Sequence, residues 1–179
     1  VDLVAGNYVV TVTDAQTCST TATVTVTQPS PITASGTGTN PLCNGAADGT
    51  ATVTGSGGTP PLSYSWANGQ TTATATGLTA GTYIATVTDA LGCANVAFIT
   101  LTQPTAVVAS ATATPTACNG SSNGTATATA TGGTAGYTFL WSDGQTNATA
   151  INLAAATYTV TATDSQGCTA TATATVAEP

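Results

Sequence analysis

The side chains from which this 179-residue chain could build chemistry are few: five cysteines, seven carboxylates, two tryptophans and five tyrosines, with no Lys, Arg, His or Met. Cys18, Cys43, Cys93, Cys118 and Cys168 could bind a metal, turn over in redox chemistry or form disulfides. No Cys-x-x-Cys occurs and no His is present as a co-ligand, so structural disulfides are expected rather than a metal or redox centre. The carboxylates of Asp2, Asp14, Asp48, Asp89, Asp143, Asp164 and Glu178 have no cationic side chain to pair with. Acid–base catalysis near neutral pH leans on His or on a group with a displaced pKa, and neither a Ser-His-Asp nor a Cys-His catalyst can be assembled. The remaining possibility, a glycosidase carboxylate pair, would have to come from turn acids that do not recur along the chain. No enzyme, catalytic residue, cofactor or resident metal is expected.

Asp14, Asp89 and Asp164 do recur at one kind of turn. Calcium takes six to eight oxygens, yet the nearest helper, Asp48, becomes Asn123 at the equivalent position, so an Asp-capped turn is the expected role. Trp66 and Trp141 could stack on a sugar ring, but they lie in phase with Tyr64 and Phe139, and core packing is the expectation. Asn119, Asn123 and Asn147 open Asn-x-Ser/Thr triplets, which a chain this rich in Thr produces by chance.

A net charge of −7 and a pI near 4.1 exclude nucleic-acid binding through phosphate neutralisation. Apolar runs are a few residues long against the about 20 a spanning helix needs, and no basic segment followed by an apolar one marks a signal peptide. Membrane insertion is not expected. The chain opens on Val1, which reads as a processed product or an excerpt.

The elements that must position these residues follow from repetition. The cysteines are spaced 25, 50, 25 and 50 residues apart, which sets a period of 75. Trp66 and Trp141, Tyr8, Tyr83 and Tyr158, and the closing Gln28-Pro29, Gln103-Pro104 and Glu178-Pro179 all obey it. Residues 30–104 and 105–179 share 34 identities in 75, so the chain reads as two whole repeats preceded by residues 1–29, the end of a third. Within each repeat apolar residues alternate with Thr at a period of two, as in Tyr83, Ala85 and Val87 followed by Ala97, Ile99 and Leu101. This is the mark of strands with one buried face, Thr fitting the outer pleat with its hydroxyl in water. Gly- and Pro-rich turns separate the runs and no helical period competes. The expected fold is all-β: tandem immunoglobulin-like β-sandwich repeats of 75 residues, with Trp66, Tyr83, Trp141 and Tyr158 in their cores. Leu78-Thr79-Ala80-Gly81-Thr82-Tyr83 further suggests a tyrosine corner.

The combined pattern of Cys-Asn-Gly, Gly-Gly-Thr, an aromatic strand ending in Trp, Asn/Asp-Gly-Gln-Thr, Thr-Tyr, Thr-Asp, Gly-Cys and Gln/Glu-Pro resembles the SprB-type repeat, across both whole repeats and the partial one. The resemblance implies a large surface adhesin of gliding Bacteroidota exported by type IX secretion, a filament or stalk outside the cell with no catalytic residue. The chain departs from that family in its lack of Lys and Arg and its heavy Ala and Thr content.

Two pairings of Cys43, Cys93, Cys118 and Cys168 stay open. Pairing Cys43 with Cys93 and Cys118 with Cys168 closes a 50-residue separation inside each repeat, worth about 4 kcal/mol in the chain-entropy model. The rival pairs across a domain junction. Six alternating strands would bring the relevant loop and turn to one pole of the sandwich, whereas seven would put them at opposite poles. Cys18 has no partner within its own segment, whose hairpin places Tyr8, Val10 and Val12 beside Ala22, Val24 and Val26. That apolar face needs strands from more of the chain or from a neighbouring subunit. With few charges guarding its strand edges, the molecule is expected to associate with like repeats in the same or neighbouring chains. A surface glycan or matrix ligand, recognised through loops at the sandwich ends and in one variant with calcium, is the alternative partner.

Overall fold

The alternation of small apolar residues with Thr becomes fourteen β-strands, with no helix among the described residues, in a computed structural model that describes residues 3–179. Val1 and Asp2 lie outside the described residues. The first pair, β1 (Gly6–Thr13) and β2 (Ser19–Val26), is a hairpin that sets Tyr8 opposite Val24 and Val10 opposite Ala22. Its apolar residues are uncovered: Val10, Val12 and Val24 are each about 60% exposed.

The next six strands are β3 (Thr33–Thr39), β4 (Gly49–Ser56), β5 (Ser63–Trp66), β6 (Thr74–Leu78), β7 (Gly81–Thr88) and β8 (Ala94–Leu101). They form two three-stranded antiparallel sheets, ordered β3-β4-β6 and β5-β7-β8. The pattern recurs 75 residues on in β9 (Val108–Thr114), β10 (Gly124–Thr131), β11 (Thr138–Trp141), β12 (Thr149–Leu153), β13 (Ala156–Thr163) and β14 (Thr169–Val176), as sheets β9-β10-β12 and β11-β13-β14. Each set is an immunoglobulin-like β-sandwich. Ala51, Val53, Trp66, Leu78, Val87 and Ile99 fill one core, and Ala126, Trp141, Leu153, Val160 and Val176 the other. The outward Thr residues pair their hydroxyls across the strands, Thr52 with Thr74 and Thr82 with Thr100 at 3.0 Å, and Thr127 with Thr149 at 3.1 Å.

Strand direction decides where the cysteines lie. Strand β6 runs antiparallel to β4 and pairs with its first half, Thr50 opposite Thr76. Strand β5 runs antiparallel to β7 and pairs with its second half, Trp66 opposite Ala85. Strand β3 lies alongside β8 in the same direction, since Asn95 donates to Ile32 O while Gly36 faces Ile99 and Gly38 faces Leu101. Strands β5 and β6 therefore run the same way: the chain climbs half the sandwich in one sheet, crosses to the other and climbs the rest. Six strands then make one reversal fewer than simple alternation would.

The consequence corrects the pairing inside each repeat. Cys43, in the β3–β4 loop, sits at the pole where β8 ends, and Cys93, in the β7–β8 turn, sits at the pole where β3 begins. An eight-residue strand separates them by roughly 26 Å, whereas a disulfide needs Cα atoms within about 7 Å. The structure instead bonds Cys43 to Cys168, across the junction, with Cα atoms 5.6 Å apart. Cys93 and Cys118, expected in disulfides, are unbonded and exposed in this chain, as is Cys18.

Candidate functional site

The candidate site is the junction between the sandwiches, built from the loop that carries Cys43 and the turn that carries Cys168. The loop is fixed by the closing segment of its own repeat. Asn44 Nδ2 donates to Pro104 O at 3.0 Å, and Gly45 N donates to Gln103 Oε1 at 2.8 Å. Asn40 makes a two-way link to Thr102, its Nδ2 donating to Thr102 Oγ1 and its Oδ1 accepting from Thr102 N, both at 2.9 Å. The Cys-Asn-Gly and Gln-Pro motifs are thus two halves of one clamp that directs the chain into the next repeat. In the second repeat the glycine contact alone recurs, Gly120 N donating to Glu178 Oε2 at 3.0 Å with a carboxylate in place of the amide.

The turn is fixed by an aspartate. Asp164 Oδ1 accepts from Gln166 N and Cys168 N at 2.9 Å, and Oδ2 accepts from Thr134 N at 2.8 Å. Asp89 does the same with Leu91 N, Cys93 N and Thr59 N, all at 2.9 Å. Asp14 Oδ1 takes Gln16 N and Cys18 N at 2.9 Å. Both buried aspartates are held below the usual carboxylate range. For Asp89 the largest cause is the N–H of Thr59, partly opposed by burial and helped by those of Cys93, Leu91 and Gly92; for Asp164 it is the N–H of Thr134, likewise opposed by burial and helped by Cys168, Gln166 and Gly167. These oxygens are committed to backbone donors, and no group of three or more metal-ligating side chains gathers among the described residues.

The Gly-Gly-Thr motif brings the entering chain to the same pole. Gly57 and Gly58 take φ of 78° and 66°, and Gly132 and Gly133 take 74° and 57°. A Cβ on Gly57 would run into Pro31 O, and one on Gly132 into Ala106 O, so only glycine fits under the entering strand. A recess of about 290 Å³ remains at the junction, lined by Cys43, Asn44, Ala106, Val107 and Cys168 among others.

The other residues singled out in the sequence are also committed to the fold. Trp66 and Trp141 are buried, their Nε1 donating to Thr72 O at 2.8 Å and Asn147 O at 3.0 Å. Tyr83 and Tyr158 are half-buried against the cores, and each makes the tyrosine corner, donating to Thr79 O at 3.0 Å and Ala154 O at 3.2 Å. Tyr8 donates likewise to Val4 O at 2.7 Å. The role of the glutamine in Asn/Asp-Gly-Gln-Thr was not legible in the sequence. Gln70 brackets Thr76, its Nε2 donating to the carbonyl and its Oε1 accepting from the N–H, both at 3.0 Å, and Gln145 does the same to Ile151 at 2.9 Å. The amide stands in for the backbone of a missing neighbour strand. Its recurrence after the Asn/Asp-Gly turn was the available signal.

Two solved structures of Dscam similar to this chain are one described as the structural basis for Dscam isoform specificity, at 15% identity and a TM-score of 0.33, and the four N-terminal Ig domains of Dscam1 isoform 9.44, at 14% and 0.35. The matches cover 92% and 89% of this chain but 52% and 51% of theirs, so the chain spans about half the length of those proteins. No curated protein matches it. The family model described as the SprB repeat matches residues 35–71 and 110–146, in the same phase of the period, from β3 through β5 and from β9 through β11. Each match takes in the Cys-Asn-Gly loop, the Gly-Gly-Thr turn, the buried Trp and the bracketing Gln, and in these segments the chain is similar to the SprB repeat, once in each sandwich.

Proposed function

We propose that this chain is a structural repeat segment of a long extracellular cell-surface fibre, filament or adhesin stalk, and that it is not an enzyme. The observation that carries the reading is the Cys43–Cys168 bond, which ties one sandwich to the next and so serves the transmission of tension rather than turnover of a substrate. Recurring polar residues support it: Asn44, the pair Gln70 and Gln145, and the pair Asp89 and Asp164 direct hydrogen bonds to backbone. A disulfide persists in an oxidising compartment, in keeping with a place outside the cell. The absence of Lys and Arg leaves no trypsin-type cleavage site, which suits such exposure. Export by type IX secretion belongs to the same proposal.

A second reading, a recognition module for a surface glycan, has one foothold. An open groove of about 690 Å³ on the second repeat is lined by Tyr137, Phe139, Leu140, Thr146 and Asn147. At the equivalent positions the first repeat has Leu62, Tyr64, Ser65, Thr71 and Thr72, so the groove's lining is not repeated. The test is antibody labelling of intact cells followed by electron microscopy. The stalk reading expects labelled, extended threads or fibres outside the cell; label confined to broken cells, or compact particles, would contradict it. Saturable glycan binding lost in Phe139→Ala would favour the second reading.

A further inference from the structure

The structure has one disulfide and three free thiols, and the period accounts for all four facts together. Loop cysteines stand at Cys43 and Cys118, and turn cysteines at Cys18, Cys93 and Cys168. The observed bond joins a loop cysteine to the turn cysteine of the following repeat, 125 residues on. No other pair of cysteines in the chain has that relation. We infer that this is a periodic cross-link, so that Cys118 is the half-site for the turn cysteine of a following like repeat, and Cys93 and Cys18 are half-sites for the loop cysteines of preceding ones. The inference rests on the reading of the chain as part of a repeat array.

The half-sites are already formed. At the turns, Asp164 N donates to Cys168 O at 2.9 Å, and the same bond holds Cys93 and Cys18, each at 2.9 Å, while the Asp Oδ1 accepts the cysteine N–H in every case. At the loops, Ala46 N donates to Cys43 O and Ser121 N to Cys118 O, both at 3.1 Å, and the glycine that follows is clamped by Gln103 in one case and Glu178 in the other. The bonded pair and the free thiols therefore share their local geometry, and the free ones are exposed. What the free ones lack is the neighbouring repeat. Each bond forms as two thiols give two electrons and two protons to a small disulfide: one thiolate attacks it, the second resolves the mixed disulfide, and the donor leaves as two thiols.

The test appends one further copy of residues 105–179 after Pro179 and refolds the whole chain in oxidised and reduced glutathione. Free thiols are then capped and the bonds mapped in non-reduced peptides, using a protease that does not need Lys or Arg. The expected result is that Cys118, capped in the parent chain, becomes joined to the turn cysteine of the added repeat, while Cys43 remains joined to Cys168 and reports that the fold is intact. Replacing the added turn cysteine by Ser should restore capping of Cys118. Cys118 still capped beside an intact Cys43–Cys168 bond, or joined within its own repeat, would overturn the inference, as would loss of the Cys43–Cys168 bond from the lengthened chain. These results are separate from the stalk reading. Unlinked repeats that still image as extended threads would remove the cross-link alone, whereas linked repeats that image as compact particles would remove the stalk and leave the cross-link.

Discussion

Asp89 and Asp164 show how little of this protein's polarity is left over for ligands. Each collects three backbone N–H groups from two segments, so a single carboxylate joins the β7–β8 or β13–β14 turn to the Gly-Gly-Thr loop. The recurring Asp was visible in the sequence, and so was its reading as a turn cap. Its second oxygen, reaching Thr59 or Thr134 about 30 residues away, was not, because that contact depends on how the loops meet at the pole. Since folding lowers both pKa values, the unfolded chain binds protons more readily. Their contribution to stability is in place above the unfolded carboxylate range, about pH 4, and is lost as the pH falls through the lower folded values. Denaturation midpoints should hold steady from neutral pH to about 5 and then fall. In the Asp89→Asn, Asp164→Asn double variant the amide N–H₂ would face the N–H of Thr59 or Thr134, or else those of the turn. That variant should be weaker at neutral pH and respond less to acid. An acid response identical to the parent's would show that these turns do not govern it.

Strand placement was legible at the level of elements because the period of two keeps its phase through both repeats, and the buried faces fell where the alternation put them. Direction was not. A switch of sheets between β5 and β6 without a reversal leaves the same apolar alternation as a hairpin would, so the poles could not be assigned until the register was known. The close approach of β3 to β8 was hidden for a related reason, since it appears only when the repeats are compared at paired positions. Gly36 lies against Ile99 and Gly38 against Leu101, so a Cβ on either would overlap the larger side chain. In the second repeat the same positions hold Ala111 with Ala174 and Ala113 with Val176: the strand gains a methyl where its neighbour loses bulk. Gly36→Ala should therefore cost about 1–3 kcal/mol through overpacking, and Ile99→Ala about 2–5 kcal/mol through the cavity it leaves. The double variant copies the natural pair, and its cost should fall short of the sum by about 0.5–3 kcal/mol. Chemical denaturation of the four proteins measures this, and simple additivity would mean the two residues do not share one space.

For the whole molecule, the staple changes what tension can reach. A pull on the two ends passes along the chain to Cys43, across the disulfide to Cys168 and onward, so the 125-residue separation between them is closed off from the load. The same closure is worth about 5 kcal/mol in the chain-entropy model. Most of both repeats' core residues lie within that loop, while the β1–β2 hairpin, β3 and the whole of β14 lie outside it. In the proposed stalk such a staple would limit extension without a large core, in keeping with sandwiches packed with small and aliphatic residues and a single Trp each.

Single-molecule stretching of the chain between handles at its two ends, with and without reductant, tests this most directly. Reduction should release the 125-residue loop, adding roughly 410–450 Å of contour length at about 3.3–3.6 Å per residue. Equal contour lengths in the two states would contradict the cross-junction staple. So would two separate gains of about 165–180 Å, the lengths that 50-residue loops closed inside each repeat would release.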